Sequence, residues 1–159
     1  MSATAMEQDV STINLVRETE IAAPIGIAWE AVLLELGPEG TMPAEKGGEV
    51  PFPFVLEAWP GGRWFRDLGN KAGHLWGHVQ VIKPPKLLEI SGPMFMSYPG
   101  VNFVQYRLTE EGERTRLKLT HKAMGLIPAS DREGVAEGWE HGIKRIREIA
   151  ERLRGKGGR

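Results

Sequence analysis

Between residues 54 and 123, six short segments with strand character follow one another with only turns between most of them. They are Phe54–Trp59, Arg63–Leu68, His74–Ile82, Leu87–Ser91, Asn102–Thr109 and Thr115–Ala123. The breaks are turn chemistry: Pro60-Gly61-Gly62, Gly69-Asn70-Lys71, Pro84-Pro85 and Glu111-Gly112. Parallel neighbours need a long crossover, and breaks this short leave no room for one, so the sheet must be mostly antiparallel. In the last hairpin Val104, Tyr106 and Leu108 alternate onto one face and answer Leu117, Leu119 and His121. A bulge in His74–Ile82 would decide which of Trp76 and Gly77 points inward.

Helical patterning flanks this run. Over residues 131–153, Val135, Trp139, Gly142, Ile146, Ile149 and Leu153 recur at steps of three and four, one apolar stripe of a helix laid across something apolar. Ser130 and Glu133 predict a capping box at its start, and Gly155 its end, with residues 155–159 a flexible tail. Near the other end, Ile13–Ile21 reads as a strand and Pro24 suits the first turn of a helix. That helix carries Ile27, Ala28, Ala31, Val32, Leu34 and Glu35 and stops at Gly37-Pro38. Residues 1–11 read as a disordered lead-in, leaving 12–154 as a single domain. Residues 37–52 are rich in glycine, proline and glutamate without periodicity, a structureless connection that is either a lid or surface slack. The order strand, helix, six strands, helix predicts an α+β domain with helices on one face of an antiparallel sheet. A long helix clamped onto a curved sheet encloses an interior cavity.

Composition narrows the function. The chain has 159 residues and no cysteine, which excludes disulfides and thiolate metal sites and fits a reducing compartment. With 20 basic and 21 acidic residues it lacks the basic excess that nucleic acid or an anionic membrane would demand. Met1–Ser11 is polar and acidic, unlike a signal peptide, and no apolar run approaches the roughly 20 residues of a membrane span. A soluble cytoplasmic domain without membrane insertion is the expectation.

Catalytic signatures are missing: there is no Gly-x-Ser-x-Gly elbow, His-Glu-x-x-His, P-loop or dinucleotide fingerprint. His74 and His78, four apart in a strand, would stand ~13 Å apart and could not share a metal ion. No metal, cofactor or catalytic residue is assigned. His141 falls off the apolar stripe and is expected in solvent. His121 shares the inner face with Leu117 and Leu119; a hydrogen-bonded structural role is the commoner fate there, and it is also the best candidate for a polar ligand contact. Trp59, Trp64, Trp76 and Trp139, with Phe65, Phe95, Phe103 and Tyr106, are many large rings for one small domain. Pro93 to Pro99, containing Met94, Phe95 and Met96, is an apolar link with adaptable side chains. Gly138 and Gly142 in the last helix each cost up to ~1 kcal/mol relative to alanine, and serve either close packing or room for a guest.

Ile21-Ala22-Ala23-Pro24 with Trp29, Pro60-Gly61-Gly62-Arg63-Trp64, Gly77-His78-Val79 with Pro84-Pro85-Lys86-Leu87, the Thr115–Thr120 strand ending in His121, and Gly138-Trp139 carry a resemblance. In that order they resemble the SRPBCC (START-like, birch-pollen-allergen-like) superfamily, and within it the group named after the activator of the heat-shock-protein ATPase. The resemblance implies a helix-grip fold: a curved antiparallel sheet of about seven strands wrapped around a long C-terminal helix, with a short helix after the first strand. It departs from the family at Gly37–Pro53, where a second short helix is usual. The implied function is binding of a small hydrophobic or aromatic ligand, lipid- or polyketide-like, between the final helix and the sheet. Trp64, Trp76, Met94, Phe95, Tyr106, His121 and Trp139 are the expected ligand-binding residues. Two alternatives stand beside it. One is a polyketide cyclase- or hydrolase-like enzyme, with His121 or Asp67 as first suspects; the other is a module assisting a chaperone ATPase. A chaperone partner and a homodimer both stay open.

Overall fold

The computed structural model describes residues 9–157. The chain runs β1 (Ser11–Ile21), α1 (Ile25–Glu35), β2 (Thr41–Pro43), β3 (Glu49–Pro51), β4 (Val55–Leu56) and β5 (Arg63–Gly69), then β6 (Ala72–Lys83), β7 (Leu87–Gly92), β8 (Gly100–Glu111), β9 (Arg114–Gly125) and α2 (Ala129–Gly157). Seven strands form one sheet in the order β1-β9-β8-β7-β6-β5-β4, antiparallel throughout. The meander closes at its far edge when β1 pairs with β9 along its whole length. This is the expected α+β helix-grip architecture, with a short helix after the first strand and a long helix last.

The β8–β9 hairpin follows its alternation closely. Val104 faces His121, Tyr106 faces Leu119 and Leu108 faces Leu117, and all six are buried. Against them lie Ala28, Ala31 and Val32 of α1 and Ile143, Ile146, Ile149 and Ala150 of α2, in one continuous core. Each such aliphatic side chain contributes roughly 1.5–3 kcal/mol by leaving water. A smaller cluster of Ile13, Met96, Ala123, Ile127 and Val135 seals the opposite end of α2.

Three local features depart from the sequence expectation. Residues 37–52 are not structureless: β2 and β3 make a separate two-stranded hairpin turning at Gly47 (φ 90°) and Gly48 (φ 72°). Phe52 N–H donates to the Gly40 carbonyl at 2.8 Å and Phe54 N–H to Gly37 at 2.9 Å, tying the hairpin back to the end of α1. Strands three residues long are too short to show a period. The capping box is also replaced. Ser130 lies inside α2, and the amides of Asp131 and Arg132 both donate to the Pro128 carbonyl at 3.1 Å. Gly155 does not end the helix, which continues to Gly157; Gly155 lacks the left-handed φ that a glycine stop requires. Of the expected lead-in, residues 1–8 lie outside the described residues, as do 158–159 of the expected tail.

The bulge in β6 is real. Trp64 pairs with Gly77 but Phe65 pairs with Leu75, which leaves Trp76 as the extra residue. Trp76 thereby joins Trp64 and Phe54 on the inner side, with ring centroids 5.3 and 4.8 Å away. Behind it Gly77 and Gly92 bring two strands unusually close. A Cβ at Gly92 would sit 2.4 Å from Gly77 Cα and 2.6 Å from the Trp76 carbonyl oxygen. Gly92→Ala is therefore expected to cost on the order of 1–3 kcal/mol, read as a lower urea midpoint, because backbone must move to admit one methyl. Gly134→Ala, on a helical position with open space, is the contrasting substitution and should not destabilise.

Candidate functional site

A cavity of about 590 Å³ lies beneath α2. Its α2 side is made by Gly134, Gly138 and Gly142, three glycines at steps of four on one helical face. A Cβ at Gly134 or Gly138 would meet nothing within 4 Å, and one at Gly142 would meet the Glu35 carboxyl oxygens at 3.6 and 3.7 Å. The opposing wall is aromatic. Phe54 stacks on Trp64 at 5.0 Å and meets Trp76 edge-on at 4.8 Å, with Phe95 6.2 Å from Trp76. The Trp64 indole N–H donates to the Leu36 carbonyl at 2.7 Å, locking that ring to the end of α1. Met94 and Phe95 close one side, and Thr41, Met42, Pro43 and Phe52 of the β2–β3 segment close another.

Five of the seven expected ligand-binding residues line this cavity: Trp64, Trp76, Met94, Phe95 and Trp139. Tyr106 and His121 do not; both are buried behind the wall, in contact with Trp139. Trp139 Nε1–H donates to His121 Nδ1 at 2.9 Å, so Nδ1 is the acceptor and the ring proton sits on Nε2. Nε2–H then donates to Asn102 Oδ1 at 2.7 Å, while the Asn102 amide nitrogen donates to the Gly92 and Pro93 carbonyls at 3.1 Å each. Both ring nitrogens of His121 are thus occupied, and burial pushes its pKa down to about 4. It positions Trp139 as a neutral ring. Asp67, the other enzymatic suspect, is exposed at the β5–β6 turn, where its Oδ1 accepts from Gly69 N–H at 2.8 Å. Trp59 is 58% exposed and Phe103 lies outside the cavity lining.

Two polar groups in the wall escape the sequence reading. His141 is not in solvent: its Nε2 lies 2.8 Å from Thr41 Oγ1. Thr41 donates its one hydroxyl proton to Glu49 at 2.7 Å, so His141 Nε2–H is the donor to Thr41. The Thr41 hydrogen bond, helped by Arg145 and His141, holds the Glu49 carboxyl below its ordinary range. Glu35, at the last turn of α1, faces the cavity beside Gly142. Burial raises its pKa to about 8 against the opposing pull of Arg145.

The family described as Activator of Hsp90 ATPase homolog 1-like protein matches residues 43–151, more than half of the chain. The chain belongs to this family. No curated protein has a matching sequence. Solved structures share the fold at low identity. An uncharacterized protein from Rhizobium leguminosarum is 18% identical, with a TM-score of 0.67 over 92% of this chain and 99% of that one. CalU16 from Micromonospora echinospora is 20% identical, with a TM-score of 0.60 over 95% and 90%. The di-domain ARO/CYC StfQ of the steffimycin biosynthetic pathway is 11% identical, with a TM-score of 0.61 over 91% of this chain and 52% of that one. These solved structures share the fold of this chain. Among the described residues no helix is long and apolar enough to cross a membrane.

Family membership leaves Glu35 to be found from structure, since it precedes the matched span. In the sequence it reads as one more position on the first helix. Nothing in the sequence pairs it with Gly142, the position on α2 that comes to lie beside its carboxyl. Glu35 and His121 give the fold opposite pH sensitivities. Glu35 binds a proton more tightly folded than unfolded, so its contribution to stability declines as pH rises from about 4.5 to about 8. His121 binds a proton less tightly folded, so its contribution is present above about 6.5 and is lost as pH falls to about 4. The His121 effect is on the order of 3 kcal/mol. Denaturant melts across this range should show both flanks, with Glu35→Gln removing the alkaline decline and leaving the acid one.

Proposed function

We propose that the chain binds a small hydrophobic molecule, of aromatic or polyketide-like shape, in the cavity beneath α2. The observation that carries this reading is the row Gly134, Gly138 and Gly142 on the cavity face of the helix. Two of those glycines, Gly134 and Gly138, stand exposed at the cavity mouth with open space beyond Cα, so close backbone packing does not account for them. Glycines there forgo helix stability, ~1 kcal/mol each relative to alanine, and what they leave is volume. A space of about 590 Å³ falls within the range of small-molecule sites, roughly 300–1,000 Å³. Trp64, Trp76, Met94, Phe95 and Trp139 would contact the guest, while Tyr106 and His121 support Trp139 from behind.

Gly138→Leu separates folding from binding. Leucine restores about 1 kcal/mol of helix propensity while its side chain fills the cavity. The variant should melt a few degrees higher. Native mass spectrometry of protein purified gently from its host should show a bound mass, lost on denaturation, in the unaltered chain but not in Gly138→Leu. An adduct retained at full occupancy by the variant would place the ligand elsewhere. A clean apo mass combined with stimulation of the host chaperone's ATPase would move the function to a protein partner.

A further inference from the structure

We propose that Glu35 is the recognition group of the cavity, its protonated carboxyl donating a hydrogen bond to the carbonyl oxygen of a neutral hydrophobic ketone. This deepens the ligand-binding reading above and rests on it. The geometry begins with placement. Glu35 leaves the last turn of α1, lines the cavity, and sets its carboxyl oxygens where a Cβ at Gly142 would lie 3.6 and 3.7 Å from them. No hydrogen bond or ion pair to its carboxyl is formed among the described residues. The cation that acts on it, Arg145, also pairs with Glu39 at 3.7 Å, Glu49 at 3.6 Å and Glu148 at 3.3 Å, and its Nε has no hydrogen-bond partner. Glu35 is half-buried, and a carboxyl drawn from water without a partner favours its neutral form: desolvation raises its pKa to about 8 against the pull of Arg145.

The donor decides the guest. With Glu35 protonated, its carboxyl is a hydrogen-bond donor in the cavity lining. Trp76 Nε1, Arg145 Nε and the Tyr106 hydroxyl also lack hydrogen-bond partners, but these three atoms are enclosed by protein, and Tyr106 lies behind the wall. An unpartnered donor in an apolar space calls for a ligand that brings an acceptor. An ammonium guest would bring donors and set a second cation beside Arg145. A carboxylate guest would meet Glu35 itself, with Asp131 in the same lining and Glu49 at the hairpin. A neutral carbonyl compound satisfies the donor without adding charge.

Recognition of this kind couples binding to protonation. Groups facing Glu35 are Arg145 from α2 and Tyr106 from β8; across the cavity stand His141 and Asp131 from α2, His74 from β6 and Glu49 from β3. Glu35→Gln isolates the one group among them, since the amide keeps a donor and cannot titrate. The test is equilibrium dialysis with two neutral probes of similar size, acetylnaphthalene and ethylnaphthalene. The unaltered chain should bind the ketone at least ten-fold more tightly at about pH 6, with that advantage falling toward ten-fold per pH unit above about 8. Ethylnaphthalene affinity should not change over the same range. Glu35→Gln should keep the ketone preference and flatten its pH profile, and Glu35→Leu should abolish the preference while still binding ethylnaphthalene. Equal binding of the two probes, or a pH profile that survives in Glu35→Gln, would overturn the assignment of Glu35 while sparing the apolar cavity. Failure of both probes to bind the unaltered chain would overturn the cavity reading, and this inference with it.

Discussion

The hydrogen bond from Trp139 Nε1 to His121 Nδ1 sets the height of α2 above the sheet. His121 stands on β9, second from the edge of the sheet, and is held by Asn102, which is itself anchored to the carbonyls of Gly92 and Pro93. The indole therefore meets a fixed post. With α2 propped there, packed at Val135 before it and at Ile143, Ile146 and Ile149 beyond it, the glycine face cannot sink onto the aromatic wall. A close-packed interior normally leaves few voids larger than a water molecule, so an open space of this size needs such a spacer.

The site is assembled from groups that each lower stability. Glycines in a helix interior and an unpaired carboxyl are what a chain selected for stability alone would replace. They converge on one volume from α1 and α2. Elsewhere the fold follows ordinary rules: buried alternation in β8 and β9, and an apolar stripe on α2. Local rules broken in one place and kept everywhere else mark a functional region.

How much was legible in the sequence depended on the range of the interaction. The register of β8 on β9 could be read from alternation alone, because Val104, Tyr106 and Leu108 need partners on the same face. The α2 stripe was equally plain, and five of the seven ring and methionine candidates do meet in one cavity. The β2–β3 hairpin was not visible, since its strands are too short for a pattern and its register depends on Gly47 and Gly48 at the turn. His141 was misplaced because its partner, Thr41, is 100 residues away on that unseen hairpin. Glu35 shows the same limit: a charged residue late in a surface helix is ordinary until another helix presents a glycine to it. Tyr106 and His121 were placed on the correct face but one layer too far forward, because alternation gives side and not depth.

The β2–β3 segment is fastened differently from the rest of the molecule. Arg152 holds Glu39 through two contacts of 2.7 and 2.6 Å, Arg145 reaches Glu39 and Glu49, and His141 grips Thr41. Met42 and Val50, the large apolar residues of the strands themselves, are turned partly to water. Attachment by charge is weakened by dissolved ions in a way that apolar burial is not, since exposed pairs are screened over about 8 Å at physiological ionic strength. The two halves of the cavity wall thus answer to different solvents: the aromatic side is governed by the hydrophobic effect, and the hairpin side by salt.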